Sequence, residues 1–123
     1  MLILHHLQIR DNMHYTNTDN PIDFPKVHKM NSQEREVMNI LSEECAEVIQ
    51  AISKCHRFGI DNFKPGKPKT NREHLEEEIG DLQAMIDILI KMDVINPESL
   101  ELAKRAKIEK LKKWSTIENL ESI

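Results

Sequence analysis

The sequence is poor in the residues from which β-sheet domains are built. Aromatic side chains make up only 4% of its 123 residues, and there are just three glycines. Strands favour aromatic and β-branched residues, and sheet proteins need glycine in many of their turns, so an all-α domain is predicted. The length suits one compact domain rather than two.

Other absences exclude several classes of protein. No run of about 18 apolar residues occurs, which argues against a membrane-spanning helix, and the first residues lack the pattern of a signal peptide. A net charge of −4 argues against a general nucleic-acid binder. The only two cysteines lie on one predicted helix, about 15 Å apart, which is too far for a disulfide. A reducing cytoplasm therefore fits the sequence best.

Helix-start and helix-stop signals divide the chain into an arm and a helical domain. Residues 1–30 show no helical or strand periodicity and are predicted to form an N-terminal arm, whereas residues 31–123 form the domain. Capping residues, glycine and proline mark the ends of three main helices. These helices are predicted from Asn31 to about Arg57 or Phe58, from Thr70 to about Asp93, and from Asn96 to about Trp114.

The second predicted helix is apolar over a large part of its circumference. At about 100° per residue its apolar side chains cover roughly 200°, about twice what a surface helix needs. Three helices of this length also form only a thin core by themselves. We therefore expect a homodimer or homotetramer in which this helix lies at the centre and oligomerisation completes the bundle.

Four carboxylates lie on helix faces that are expected to be buried. Glu44 and Glu47 lie three residues apart on the first helix, and Glu78 and Asp81 have the same spacing on the second. Burial of an unpaired carboxylate is costly, so four together need compensating cations. One interpretation is that the acids reach solvent or form salt bridges between helices. The other is a metal site, since a carboxylate-only cluster suits Mg²⁺ or Mn²⁺.

The acidic residues also carry a family resemblance. Two segments resemble the EExxE…ExxD signature of the all-α NTP pyrophosphohydrolases, the MazG-like superfamily: Glu43-Glu44-Cys45-Ala46-Glu47-Val48 and Glu77-Glu78-Ile79-Gly80-Asp81-Leu82. The resemblance extends over about residues 32–114 and is strongest to the small single-domain members found in bacteriophages. It implies a MazG-like helical bundle.

The resemblance further implies a Mg²⁺ site formed by Glu44, Glu47, Glu78 and Asp81, in which Mn²⁺ can substitute. In this superfamily, water attacks the α-phosphate of a nucleoside triphosphate and releases the monophosphate and pyrophosphate. Glu43 and Glu47 are both candidates to accept the proton from water, and the sequence does not choose between them. The implied substrate is a ribo- or deoxyribonucleoside triphosphate, with dGTP or dUTP as candidates suggested by the phage members, and the base and sugar stay open at this point. The expected location is the cytoplasm of a bacterium or of a phage-infected host.

Basic residues flank the acidic ones and are candidates for substrate binding. Lys107 lies on the apolar stripe of the third helix and Lys110 lies at its edge. Lys54 and Arg57 end the first helix, where they either contact the substrate or offset the helix dipole. They open a run of six basic residues between positions 54 and 72.

A non-enzymatic helical adaptor that uses the broad apolar helix only for assembly is the alternative function. It explains an oligomer but not the four inward acids. A di-iron carboxylate bundle needs ExxH motifs on two helices, and the sequence has none. Metal dependence separates the two remaining functions, because an adaptor has no reason to be stabilised by Mg²⁺ together with a triphosphate analogue.

Overall fold

A computed structural model describes residues 28–63 and 65–123, and its regular elements are the predicted helices. Helix α1 spans Ser32–Phe58, helix α2 spans Asn71–Lys91 and helix α3 spans Pro97–Trp114. The described residues contain no strand. The all-α prediction is therefore confirmed.

The helices begin where the sequence predicted, because their capping side chains satisfy free backbone N–H groups. Asn31, Thr70 and Asn96 each accept a hydrogen bond from the backbone N–H three residues later. The end of α2 differs from the prediction, since the helix stops at Lys91. Asp93 has a left-handed backbone with φ +58°, which a continuing α-helix does not allow.

Helices α1 and α2 pack against each other as an antiparallel hairpin. The Cys55 Sγ atom lies 3.7 Å from the Asn71 carbonyl oxygen, whereas the carboxylate of Glu47, two turns earlier on α1, lies beside that of Glu78, two turns later on α2. Ala51 is fully buried between these two contacts. The hairpin is the part of the chain in which residues distant in sequence come together.

The loop between α1 and α2 is held by hydrogen bonds at its two ends. Gly59 has φ +88°, a conformation that favours glycine, and turns the chain out of α1. Its carbonyl oxygen accepts a hydrogen bond from the side chain of the buried Asn71 at 2.8 Å, while the Asn71 backbone N–H donates to the Asn62 carbonyl at 2.9 Å. Arg72 pairs with Asp61 at 3.0 Å across the same loop.

Helix α3 lies against the C-terminal segment instead of joining the hairpin in a three-helix core. Its main contacts with another element are those with a short 3₁₀ helix, Leu120–Ser122, in which Leu120 is buried. No residue of α3 is itself buried. The predicted inward stripe is therefore open within one chain: Leu111 is half-buried and Trp114 is 77% exposed.

The apolar surface of the described residues is larger than one chain covers. The buried apolar side chains of the described residues are Ala51, Leu89 and Leu120. Large exposed apolar side chains occur on all three helices, among them Ile49, Ile52, Ile79, Ile88, Leu102 and Trp114. This is the thin core that the helix lengths predicted.

The predicted N-terminal arm, residues 1–30, lies outside the described residues except for its last three. There, His28 Nε2 lies 2.9 Å from the carboxylate of the buried Glu34 in the first turn of α1. Of the helices in the described part of the chain, none combines the length and the apolarity that crossing a bilayer requires.

Candidate active site

Three carboxylates from the two helices of the hairpin converge at one point. Glu44 and Glu47 come from adjacent turns of α1, and Glu78 comes from α2; one oxygen of each lies within 4.8 Å of the others. Glu78 is buried, Glu44 is half-buried and Glu47 is exposed. The cluster therefore extends from the helix interface to solvent, where a small ligand has access to it.

The buried oxygens of this acidic cluster lack hydrogen-bond donors. The Oε2 atoms of Glu44 and Glu78 are both buried without a partner among the described residues. His74 Nδ1 lies 3.8 Å from the other oxygen of Glu78, beyond hydrogen-bonding distance. Carboxylate oxygens left without donors in this way need a cation or a proton.

The crowding of like charges raises the pKa of two of the three carboxyls. A hydrogen bond between the carboxyls of Glu78 and Glu47, which requires a proton on one of them, is the largest cause that raises the pKa of Glu78 to about 7; burial and the neighbouring carboxylates add to it. Burial, followed by the charges of Glu47 and Asp81, raises the pKa of Glu44. Glu44 and Glu78 therefore hold protons more tightly than isolated carboxyls, and a bound cation would relieve the repulsion between their charges.

The other two predicted acids lie at the edge of the cluster. Asp81 is exposed one turn after Glu78, and its charge acts on both Glu44 and Glu78, but it is not among the three converging carboxylates. Glu43 is exposed beside Glu44 and also raises the pKa of that carboxyl. Both lie close enough to contribute to the electrostatics of the site.

The donor set of the acidic cluster fits a hard divalent cation. All three converging ligands are carboxylate oxygens, which Mg²⁺ and Mn²⁺ prefer over the nitrogen and sulfur ligands typical of zinc sites. The two buried oxygens without donors are the structural observation that favours a cation at this place. The residues that would hold it are Glu44, Glu47 and Glu78, with Asp81 one turn away.

Two of the four predicted substrate-binding residues lie beyond the acidic cluster on the hairpin. Lys54, two turns after Glu47 on α1, lines a cavity of about 380 Å³ that also includes His74 and so adjoins the cluster. Arg57 lines a second cavity of about 480 Å³, nearer the loop, and its guanidinium lies 4.9 Å from the centre of the Phe58 ring.

The fold of one chain does not bring Lys107 and Lys110 to the acidic cluster. Both lysines are exposed on α3. Lys107 lines a groove between α3 and the C-terminal segment that contains Leu120. Their predicted role in substrate binding therefore depends on how copies of the chain assemble.

Sequence reasoning did not assign Lys67 and Lys69 to the site. Both lie in the loop between α1 and α2 and line the same cavity as Lys54. The signal was present as the basic run of residues 54–72, but periodicity does not show where a loop returns to the helices it connects.

Comparison with known protein families identifies a matching domain family. The family model of the MazG nucleotide pyrophosphohydrolase domain matches residues 32–113. These residues include α1, α2 and all of α3 except its last residue, Trp114. They also contain the whole acidic cluster. Neither the curated proteins nor the solved structures give a significant match to the chain.

Proposed function

Because the chain belongs to the MazG nucleotide pyrophosphohydrolase family, we propose that it hydrolyses a nucleoside triphosphate to the monophosphate and pyrophosphate in a Mg²⁺-dependent reaction. The observation that carries this proposal is the convergence of Glu44, Glu47 and Glu78 on one point, with two buried oxygens that have no donor. An arrangement of this kind costs folding free energy and is explained by a cation that belongs there.

The proposed reaction is an in-line substitution at the α-phosphorus. The oxygen of a water molecule forms a bond to this phosphorus while the bond to the bridging oxygen breaks, and pyrophosphate leaves with the electron pair of that bond. The proton of the water passes to a carboxylate. We favour Glu47 as the acceptor, since its exposed carboxylate belongs to the cluster, and we keep the neighbouring Glu43 as the second candidate.

A divalent cation would supply charge that the protein lacks at this point. Held by Glu44, Glu47 and Glu78, with Asp81 at the edge, Mg²⁺ or its substitute Mn²⁺ would offset the charge of the triphosphate and make a neighbouring water easier to deprotonate. The protein's own part is to hold the acids at the hairpin interface, open to solvent on the side of Glu47.

We further propose that a homodimer or homotetramer completes the substrate site. Helix α3 carries six basic and three acidic residues, whereas α1 and α2 together carry eleven acidic and five basic residues. Packing of α3 from one copy on the hairpin of another would cover exposed apolar side chains and bring opposite charges together. In this arrangement Lys107 and Lys110 would face the phosphates, beside Lys54 and Arg57.

The proposed substrate is a deoxynucleoside triphosphate, with dGTP and dUTP as the first candidates. Support comes from the resemblance of the acidic segments to small phage members of the family. The proposed location is the cytoplasm of a bacterium or of a phage-infected host, in keeping with cysteines that form no disulfide in the described residues.

A panel of all common ribo- and deoxyribonucleoside triphosphates tests the proposal, with released pyrophosphate as the readout. We expect Mg²⁺-dependent release from at least one deoxynucleotide, and its loss in Glu78→Gln. The matched control is Glu76→Gln, an exposed glutamate on the same helix. No release from any nucleotide, together with a melting temperature unchanged by Mg²⁺ and a triphosphate analogue, would instead support the helical adaptor.

A further inference from the structure

The cavity next to the acidic cluster is lined by lysines from two different parts of the chain. Lys54 projects from α1, whereas Lys67 and Lys69 come from the loop that precedes α2. The cavity has a volume of about 380 Å³, and His74 and Glu77 of α2 form its opposite wall. Three lysine side chains thus line a small cavity beside the acidic cluster.

Among the described residues, one of these lysines has a carboxylate partner. Lys69 Nζ lies 2.6 Å from the Glu77 carboxylate. Lys54 and Lys67 form no salt bridge to any residue in the ranges 28–63 and 65–123. The three lysines and one glutamate that line the cavity leave two positive charges in excess. Unpaired ammonium groups in a shared cavity repel each other, so an anion between them would be stabilised by both.

The lysine cavity adjoins the acidic cluster along the hairpin. Lys54 lies seven residues after Glu47, on the same face of α1 and about 10 Å along its axis. On α2, His74 both lines the cavity and lies 3.8 Å from Glu78 of the cluster. A ligand with several linked anionic groups can therefore lie across both sites.

The loop that supplies two of the lysines is tied to the start of α2 at both of its ends. The ties are the hydrogen bonds of Asn71, the Arg72–Asp61 ion pair and a β-bridge between Phe63 and Thr70. Pro68, between the two lysines, restricts the backbone there. Tied ends limit the conformations of the segment between them, which lowers the entropy cost of holding an anion.

We propose that this cavity is the subsite for the terminal phosphates of the substrate, with Lys54 and Lys67 as the residues that bind the departing pyrophosphate. The inference rests on the proposed function for the identity of the anion. The acidic cluster takes the α-phosphate region and the attacking water. The bond from the α-phosphorus to its bridging oxygen breaks, and the negative charge that develops on pyrophosphate falls among the lysines.

Binding of inorganic pyrophosphate to the full chain, measured by calorimetry in the presence of a chelator, tests the subsite without metal and without turnover. We expect the double variant Lys54→Gln/Lys67→Gln to bind at least about 10-fold more weakly than wild type. The control is Lys29→Gln/Lys91→Gln, which changes the net charge equally at two exposed lysines outside the cavity. Its affinity should stay within about twofold of wild type.

The outcomes separate this inference from the proposed function. Equal pyrophosphate affinity in wild type and both double variants, or equal weakening in both variants, would overturn the subsite. Triphosphate hydrolysis by wild type in that case would leave the proposed function standing. Lysine-dependent pyrophosphate binding by a protein that hydrolyses no nucleotide would keep the anion site and overturn the proposed function instead.

Discussion

The α1–α2 hairpin and helix α3 differ in how much of their surface is buried within one chain. In the hairpin, residues far apart in sequence meet within one chain, and the contact is close enough to bury Ala51 and the Glu78 carboxylate. Helix α3 buries none of its residues and leaves Trp114 77% exposed, although it has an apolar stripe. Both regions consist of α-helices with apolar side chains. The difference is that α1 and α2 pack against each other, whereas α3 has mainly a short 3₁₀ helix beside it.

This difference indicates how the proposed activity is divided. The acidic cluster and the lysine cavity lie wholly on the hairpin and its loop, so the proposed metal and pyrophosphate sites would belong to one chain. The exposed apolar residues of α3 and its lysines would contribute only in the proposed oligomer. Hairpin variants and α3 variants are therefore expected to fail in different ways.

The largest expected effect is on the hairpin side. Glu78→Gln keeps the shape of the side chain but removes a ligand charge, so the rate should fall by more than about 100-fold. Because the substitution also removes a buried like charge, the metal-free variant should melt at a higher temperature than wild type. Kinetics at saturating Mg²⁺ and a thermal melt measure both. Near-normal turnover would show that Glu78 is not a ligand.

The next effect is on the α3 side. Lys107→Met keeps the apolar part of the side chain and removes the charge, so folding should survive while kcat/KM falls by roughly 10- to 100-fold, about 1.4 to 2.7 kcal/mol. Binding of Mn²⁺ without nucleotide should stay as in wild type, because the acidic cluster belongs to the hairpin. Unchanged kinetics would place Lys107 in solvent and leave Lys110 as the better candidate.

The third effect is a pH dependence of metal affinity and stability, and its source is Glu78 in the hairpin. The pKa of Glu78 is raised to about 7, so a proton must leave before this carboxylate can bind a cation. Affinity for Mn²⁺ should fall about tenfold for each pH unit below 7. For the same reason the metal-free protein should lose stability as the pH rises from about 4.5 to 7, since the folded state binds the proton that the unfolded state releases.

The control for this titration is Glu78→Gln, in which the part of the stability change that Glu78 contributes should disappear. Melting temperatures across this pH range, with and without Mn²⁺, provide the measurement. A stability that instead rises steadily with pH in the metal-free wild type would contradict the assigned direction of the pKa shift.

The smallest effect concerns the face of the hairpin on which α3 of another copy is proposed to pack. Ile88 on α2 is 40% exposed, and its burial between copies would contribute about 1 kcal/mol. Ile88→Gln should therefore weaken association about fivefold in sedimentation equilibrium while Mn²⁺ binding is retained. A wild-type chain that sediments as a monomer at micromolar concentration would contradict the proposed oligomer itself.

The predictions from sequence succeeded where the cause is local. Asn31, Thr70 and Asn96 cap their helices through hydrogen bonds within three residues, which a single sequence reveals. The convergence of Glu44 with Glu78 was also foreseen, since each lies on the apolar face of a helix and both faces had to meet. The resemblance to the MazG-like family added the expected order of these acids.

Prediction failed where position depends on tertiary packing. The loop lysines Lys67 and Lys69 join the site because hydrogen bonds from Asn71 return the loop to the hairpin, and no periodic pattern encodes that return. The apolar stripe of α3 is likewise visible in the sequence, but its partner is not. In the structure α3 contacts the C-terminal segment around the buried Leu120.

The most direct test of the central claim uses ¹⁸O-labelled water. The wild-type chain is incubated with Mg²⁺ and the best deoxynucleoside triphosphate of the panel, and the products are analysed by mass spectrometry. Attack at the α-phosphorus predicts one ¹⁸O atom in the nucleoside monophosphate and none in pyrophosphate. Label in released pyrophosphate or orthophosphate, or the absence of a monophosphate product, would contradict it.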